Sequence, residues 1–288
     1  MWNIGGNRLK QYTESIVTLY KEHTIHDALE LMQKNNIKRI VIVEKDIPIG
    51  IVTERDIGNF LESDKTARNL TQIELNEMMS RNLVTVSSGQ SDMLSQCAVR
   101  MYTFQIGSVI ITNEDGKLVG LTTKSDIVYN FAIKYSRMYK VKDYMSTRLM
   151  TCRKTDSLCF GLDMLNKNKI SRLVVTDSEG KVMGLITYDS FLRNSNYFKN
   201  PSRNYLLPDD SGKGMTIGDV IGSELITVHS EDDLAQAANL MVEYKVSGIP
   251  VIDECDNLSG VISATDIVIA YTEAETHKRL AKNDPHFA

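Results

Sequence analysis

The chain has 288 residues, 42% hydrophobic and 24% charged, enough for about two ordinary domains or several small repeats with a real core. Lys+Arg number 33 against Asp+Glu 37, a net charge of -4, which argues against the basic excess of a general nucleic-acid binder. No apolar run approaches the roughly 18 residues of a membrane span, and the start MWNIGGNRLKQYTES has no apolar signal-peptide core, so a cytoplasmic protein is expected.

Taken in chain order, the elements recur. A short extended piece, Val17-Thr18-Leu19, precedes a helix whose start carries Thr24 and Asp27 at capping-box spacing, with Ala28, Leu29, Leu31 and Met32 on one apolar face. A β-branched run, Ile40 to Val43, reads as a strand. A second strand carries GIVTERD, Gly50 to Asp56, and a closing helix follows. The order repeats through Val84-Thr85-Val86, Val109-Ile110-Ile111, the turn EDGK and GLTTKSD (Gly120 to Asp126). It repeats again through Leu173-Val174-Val175, the turn SEGK and GLITYDS (Gly184 to Ser190), and finally through Ile249 to Ile252 and GVISATD (Gly260 to Asp266). The tail 270–288 reads as a helix ending before Pro285. Each unit is β-α-β-β-α, α/β (α+β) in class. At about 60 residues a unit buries too little apolar surface to be secure alone, so pairing is expected.

The copies alternate. Just before the first strand run the odd copies carry Lys38-Arg39 and Ser171-Arg172, whereas the even copies carry Gly107-Ser108 and Ser247-Gly248. The alternation points to a duplicated pair: repeats at 1–75 and 76–138 forming one module, and repeats at 139–213 and 214–288 forming the other. The segments 58–82, 130–148 and 191–223 separate the copies, the last a surface loop by its turn formers.

Four Gly-apolar-apolar-Thr/Ser motifs, three of them completed by an Asp, together with the lead-in Val141-Lys142-Asp143-Tyr144-Met145-Ser146 and weaker lead-ins at Asn76 to Ser80 and Ile217 to Asp219, resemble the cystathionine-β-synthase (CBS) domain family. The resemblance covers about residues 12–274. It implies four CBS repeats paired with pseudo-two-fold symmetry into two Bateman modules, packed as a disc within one chain or across a homodimer. It also implies clefts for an adenosine ligand: AMP, ADP, ATP or S-adenosylmethionine. Carried over by position, ribose or phosphate would meet Thr53 and Asp56, Thr123 and Asp126, Thr187, and Ser263 and Asp266. Adenine would meet Ile16, Leu83, Leu149 and Leu225, together with Ile37, Ile106, Ile170 and Val246. Lys38, Arg39 and Arg172 are cations suited to phosphate oxygens, joined by Ser108, Ser171 and Ser247.

Plainer readings stand beside these. Thr-x-x-Asp is also a helix-capping spacing, and both roles can coexist. Lys38-Arg39 fits a solvated turn. His23 and His26 lack further metal ligands, Pro48 and Met78-Met79 read as turn and packing features, and Cys97, Cys152, Cys159 and Cys255, with no C-x-x-C pair, read as buried thiols. No G-x-S-x-G, H-E-x-x-H or P-loop pattern is present, so a regulatory protein acting on an unknown protein partner is expected rather than an enzyme. A structural or oligomerisation scaffold with empty clefts is the alternative, and a nucleic-acid-binding adaptor, disfavoured by the acidic balance, a third reading.

GLITYDS departs from its sisters: Ser190 stands where they carry Asp, and Asp189 lies one residue early. On a helix one residue turns the side chain by about 100°, so Asp189 cannot substitute. The cleft relying on this repeat is expected to be empty or weak.

Overall fold

The computed structural model describes residues 16–64, 66, 68–195, 214–222 and 225–283. Most of the expected loop at 191–223 lies outside them. Four small sheets follow one plan. Repeat 1 holds β1 (Thr18–Leu19), α1 (Ile25–Asn35), β2 (Arg39–Glu44), β3 (Ile47–Thr53) and α2 (Glu54–Ser63). Repeat 2 holds β4 (Thr85–Ser87), α3 (Met93–Thr103), β5 (Ser108–Thr112), β6 (Leu118–Thr123) and α4 (Lys124–Lys134). Repeat 3 holds β7 (Thr151–Arg153), α5 (Leu158–Lys167), β8 (Arg172–Thr176), β9 (Val182–Thr187) and α6 (Tyr188–Leu192). Repeat 4 holds β10 (Val228–His229), α7 (Leu234–Glu243), β11 (Gly248–Ile252), β12 (Leu258–Ser263) and α8 (Ala264–Asn283). In each sheet the short first strand pairs parallel to the middle strand, and the middle strand pairs antiparallel to the third. The expected β-α-β-β-α order is therefore present four times. The tail helix is continuous with the closing helix of repeat 4 rather than separate from it.

The hairpins turn where the chain permits positive φ. Gly116 (φ 76°) and Gly180 (φ 85°) occupy EDGK and SEGK, and in repeat 1 Lys45 and Asp46 (φ 50° and 69°) make a two-residue turn. Pro48 is not in the turn; it sits inside β3, paired to Val43 beside a bulge.

The middle strands are buried on both faces, which explains their continuous apolar runs. Side chains alternate across a strand, so Ile40 and Ile42 enter a core shared by repeats 1 and 3, while Val41 and Val43 meet Ile110 of repeat 2. Repeat 3 does the same: Leu173 and Val175 join the core with repeat 1, and Val174 meets Ile252 of repeat 4. Repeats 2 and 4 share the other helical core, around Phe131, Tyr135, Ile267 and Tyr271. Sheets thus hold each module together, helices join module to module, and the disc forms within one chain.

The lead-in segments are exchanged. Ser80 pairs with Ile51 of repeat 1, Ser146 with Val261 of repeat 4, and the lead-in at 217 bonds to Asp156 of repeat 3. Each drops a side chain onto the motif glycine it reaches. A Cβ on Gly50 would lie 2.4 Å from Met79 Sδ, one on Gly260 2.7 Å from Met145 Sδ, and one on Gly184 2.6 Å from Ile221 Cδ1. Met79 is therefore a packing residue, as expected. Cys97 and Cys152 are buried and Cys159 half-buried, but Cys255 is exposed because it falls in the β11–β12 turn, where its N–H bonds Asp253.

At the junction of repeats 1 and 3 the Tyr188 ring lies on Gly58, where a Cβ would stand 2.6 Å from ring carbon. Gly58→Ala is expected to force this aromatic out of register and destabilise the disc by about 1–3 kcal/mol. A thermal melt beside wild type checks it, and an unchanged midpoint would refute this packing.

Candidate functional site

The Thr/Ser-x-x-Asp motifs sit where the third strand of a repeat becomes its closing helix. In repeat 1, Thr53 N–H and Oγ1 both donate to Asp56 Oδ2, at 2.8 and 2.7 Å. Thr123 does the same to Asp126 Oδ2, at 2.7 and 2.8 Å, and Ser263 to Asp266 Oδ2, at 2.8 and 2.7 Å. The capping reading is thus realised in three repeats. Both bonds fall on one oxygen, so Oδ1 of each carboxylate takes no part in them. Burial pushes Asp126 and Asp266 above the usual carboxylate range, opposed by the capping bonds and by Arg39 at the first and Arg172 and Lys124 at the second.

In repeat 3 the same place holds a hydroxyl. Thr187 N–H donates to Ser190 Oγ at 3.3 Å, a longer and neutral bond. Asp189, which also lines the cavity described below, is held in an ion pair with Arg193 at 2.8 Å. The strand and the helix start survive, but the carboxylate does not.

The odd/even alternation has a steric cause. Arg39 and Arg172 each reach across their module to the small residues of the even repeat. A Cβ on Gly107 would lie 2.7 Å from Arg39 Nη1, and one on Gly248 2.3 Å from Arg172 Nη1. Arg172 Nη2 donates to Ser171 Oγ at 3.2 Å and to Ser247 Oγ at 3.3 Å. Burial lowers both guanidinium pKa values, Arg172 to about 10; Glu54, Asp126 and Asp56 oppose the shift at Arg39, and Asp266 opposes it at Arg172. The solvated-turn reading fits Lys38, which is exposed, but not Arg39.

Between the modules, Lys124 of repeat 2 donates to Thr265 Oγ1 of repeat 4 at 2.7 Å. Burial lowers its pKa to about 8, helped by Arg172, Arg39 and Arg55 and opposed by Asp266. Lys124 and Arg55 were not singled out from the sequence. Their only signal there is a cation inside the motif, in TERD and TTKSD, and its meaning depends on the opposite module.

A cavity of about 570 Å³ opens where repeats 3 and 4 of the second module meet α1 and the start of α2 of repeat 1. Of the expected residues it gathers Ile37, Lys38, Arg172, Thr187, Ser190, Leu225, Val246 and Ser247, so repeat 3 supplies the motif side while repeats 1 and 4 both contribute apolar side chains. The other expected apolar positions are distributed otherwise. Ile16 and Leu83 pack against the sheet-to-sheet contact of repeats 1 and 2, Ile106 and Ile170 against the two helical cores, and Leu149 is half-buried. Ser108 is buried at the start of β5. His23 accepts from Tyr20 N–H through Nδ1 at 3.1 Å, and among the described residues no cluster of His, Cys, Asp or Glu could hold a metal ion. No described helix is long and apolar enough to cross a membrane.

Comparison with known proteins agrees with this geometry. The CBS domain model matches residues 9–63, 75–132, 141–197 and 217–273. The chain is 25% identical over 270 residues to protein MJ1225 of Methanocaldococcus jannaschii, spanning 88% of this chain and 95% of that protein. The crystal structure of MJ1225, presented there as a candidate archaeal homologue of γ-AMPK, superposes with a TM-score of 0.78 at 23% identity, over 92% of this chain and 99% of the other. Protein MJ1404 of the same organism is 26% identical over 292 residues, and the chain covers 65% of its length. Inosine-5'-monophosphate dehydrogenase of Mycobacterium tuberculosis is 26% identical over 184 residues, but only 33% of that enzyme is covered.

The carboxylate caps predict different costs on truncation. Asp126→Ala removes two short bonds to a charged acceptor and is expected to cost about 1 kcal/mol more than Ser190→Ala, which removes one long neutral bond. Paired denaturation curves check it; equal losses would refute the difference.

Proposed function

The chain belongs to the CBS domain family, and from that membership we propose that it is an adenosine-nucleotide sensor that acts on a partner protein without catalysing a reaction itself. Ligand in the clefts shifts the relative orientation of paired repeats, and the partner responds to that shift. Such a shift requires different affinity for the two arrangements, and the two-sided packing of each repeat supplies two sets of contacts that a ligand can bias.

One observation carries the reading. Asp56, Asp126 and Asp266 are held by their own Thr or Ser through a single oxygen, with Arg39 near the first two and Arg172 and Lys124 near the third. A carboxylate with one oxygen outside its capping bonds suits the two hydroxyls of a ribose. Arg39, Arg172 and Lys124 suit the phosphates that extend from it. The repeat-3 cleft, with Ser190, is the weak one for a ribose with both hydroxyls free. Among the scaffold and adaptor alternatives, no observation favours either over the sensor.

Calorimetry with AMP, ADP, ATP and S-adenosylmethionine tests the proposal. Saturable heat with at least one is expected, and Asp266→Ala is expected to weaken one site about ten-fold or more. No heat and no thermal shift with any of the four would sink it.

Phosphate-bearing ligands should also show a pH dependence with a definite sign. Lys124, facing Arg39, Arg55, Arg172 and Asp266, is charged below about pH 8 and neutral above it. Affinity for ATP is therefore expected to fall as pH rises from about 7 to 9, across a range where the phosphates stay ionised. Lys124→Met should weaken binding and flatten this profile; a profile unchanged in the variant would remove Lys124 from the site.

A further inference from the structure

The repeat-3 cleft has inverted hydrogen-bond character compared with its sisters. Where they present a carboxylate, an acceptor with negative charge, Ser190 presents a hydroxyl. Its oxygen accepts from Thr187 N–H at 3.3 Å, and unlike a carboxylate it also carries a proton that can be donated to a ligand. The cavity there measures about 570 Å³, within the range of small-molecule sites. Four cations line it: Lys38, Arg172, Arg193 and Lys245. Of these, Arg172 holds its Nε buried with no hydrogen-bond partner among the described residues. Three carboxylates also line it: Asp189, whose ion pair with Arg193 offsets that cation, Asp219, which accepts from Thr216 at 2.7 and 2.9 Å, and Glu54. Burial pushes the Glu54 carboxyl above its ordinary range, opposed by Lys38, Arg39 and Arg193.

We propose that this cleft selects a purine nucleotide phosphorylated on its 2'- or 3'-hydroxyl, the class that the three Asp clefts repel. The proposal rests on reading the clefts as nucleotide sites, and it adds a second ligand class. A phosphate on the ribose would meet like charge at Asp56, Asp126 or Asp266. At Ser190 it meets a hydroxyl donor, with Arg193 three residues on. The apolar side, Leu225 and Val246, receives the base, and Arg172 with Ser247 faces the 5'-phosphate.

The test is calorimetry of the full chain with adenosine 3',5'-bisphosphate, adenosine 2',5'-bisphosphate and AMP. One bisphosphate is expected to bind at one site in the wild type. Ser190→Asp, which restores the residue that three sister repeats fold with, should weaken it about ten-fold or more while leaving the AMP sites intact. Arg193→Gln should weaken the same ligand and spare AMP. Asp266→Ala should weaken AMP and spare the bisphosphate. Binding of neither bisphosphate, or bisphosphate binding unaltered by Ser190→Asp, overturns the proposal. If AMP binds and neither bisphosphate does, only this inference fails; if a bisphosphate binds in a Ser190-dependent way and none of AMP, ADP, ATP or S-adenosylmethionine does, it stands and the broader reading fails.

Discussion

The architecture depends on burial of each middle strand from both sides. A repeat of this size has one helical layer, which covers one face of its sheet. Ile40 and Ile42 are covered by helices, but Val41 and Val43 on the opposite face need another sheet. The helices, in turn, are only half covered by their own strands and need helices from another repeat. Each repeat must therefore pair twice, by sheet with one neighbour and by helix with another. Four repeats satisfy this within a single chain when the pairs close into a disc. The cavity is a consequence: it lies where the third strand of repeat 3 runs into its closing helix, beside the segments of repeat 4 that lead into β10 and β11 and against α1 of repeat 1.

Packing of this kind accounts for the glycines and the alternation of charge. Three of the four motif glycines, Gly50, Gly260 and Gly184, lie beneath Met79, Met145 and Ile221, side chains delivered by the lead-in of another repeat, whereas Gly120 lies against Ile111 of its own repeat. Gly107 and Gly248 leave room for Arg39 and Arg172. An arginine in the odd repeat and a small residue in the even one are two halves of one contact. The guanidinium groups pay a desolvation cost there, which the aspartates of the clefts offset in part, so cations and carboxylates gather toward the disc centre.

Repeat 3 separates the structural role of the motif from its chemistry. Thr187 still caps α6, and Ser190 still accepts its N–H, so the fold persists with one weaker bond. What changes is the sign of the group offered to a ligand. The position also differs in what it touches beyond the cleft, because Tyr188 lies against Gly58 of the other module, where the sister repeats carry Glu54, Lys124 and Ala264.

Sequence alone determined what is local. The element order of each repeat, the caps at Thr24 and Thr53, the hairpin turns at Gly116 and Gly180, and the loss of the carboxylate in GLITYDS all depend on residues a few positions apart, whose hydrogen bonds are set by backbone geometry. Some local expectations failed for local reasons: Pro48 was absorbed by a bulge, and Cys255 fell in an exposed turn. Tertiary structure decided which repeats share a core, which repeat each lead-in packs on, that Arg39 and Arg172 reach the opposite repeat, and that Lys124 meets Thr265 across the disc. Those contacts join faces of equivalent repeats, and four copies with the same hydrophobic pattern offer several pairings of nearly equal local merit. Only side-chain volume and charge at the joined faces, brought together by the closed disc, choose among them.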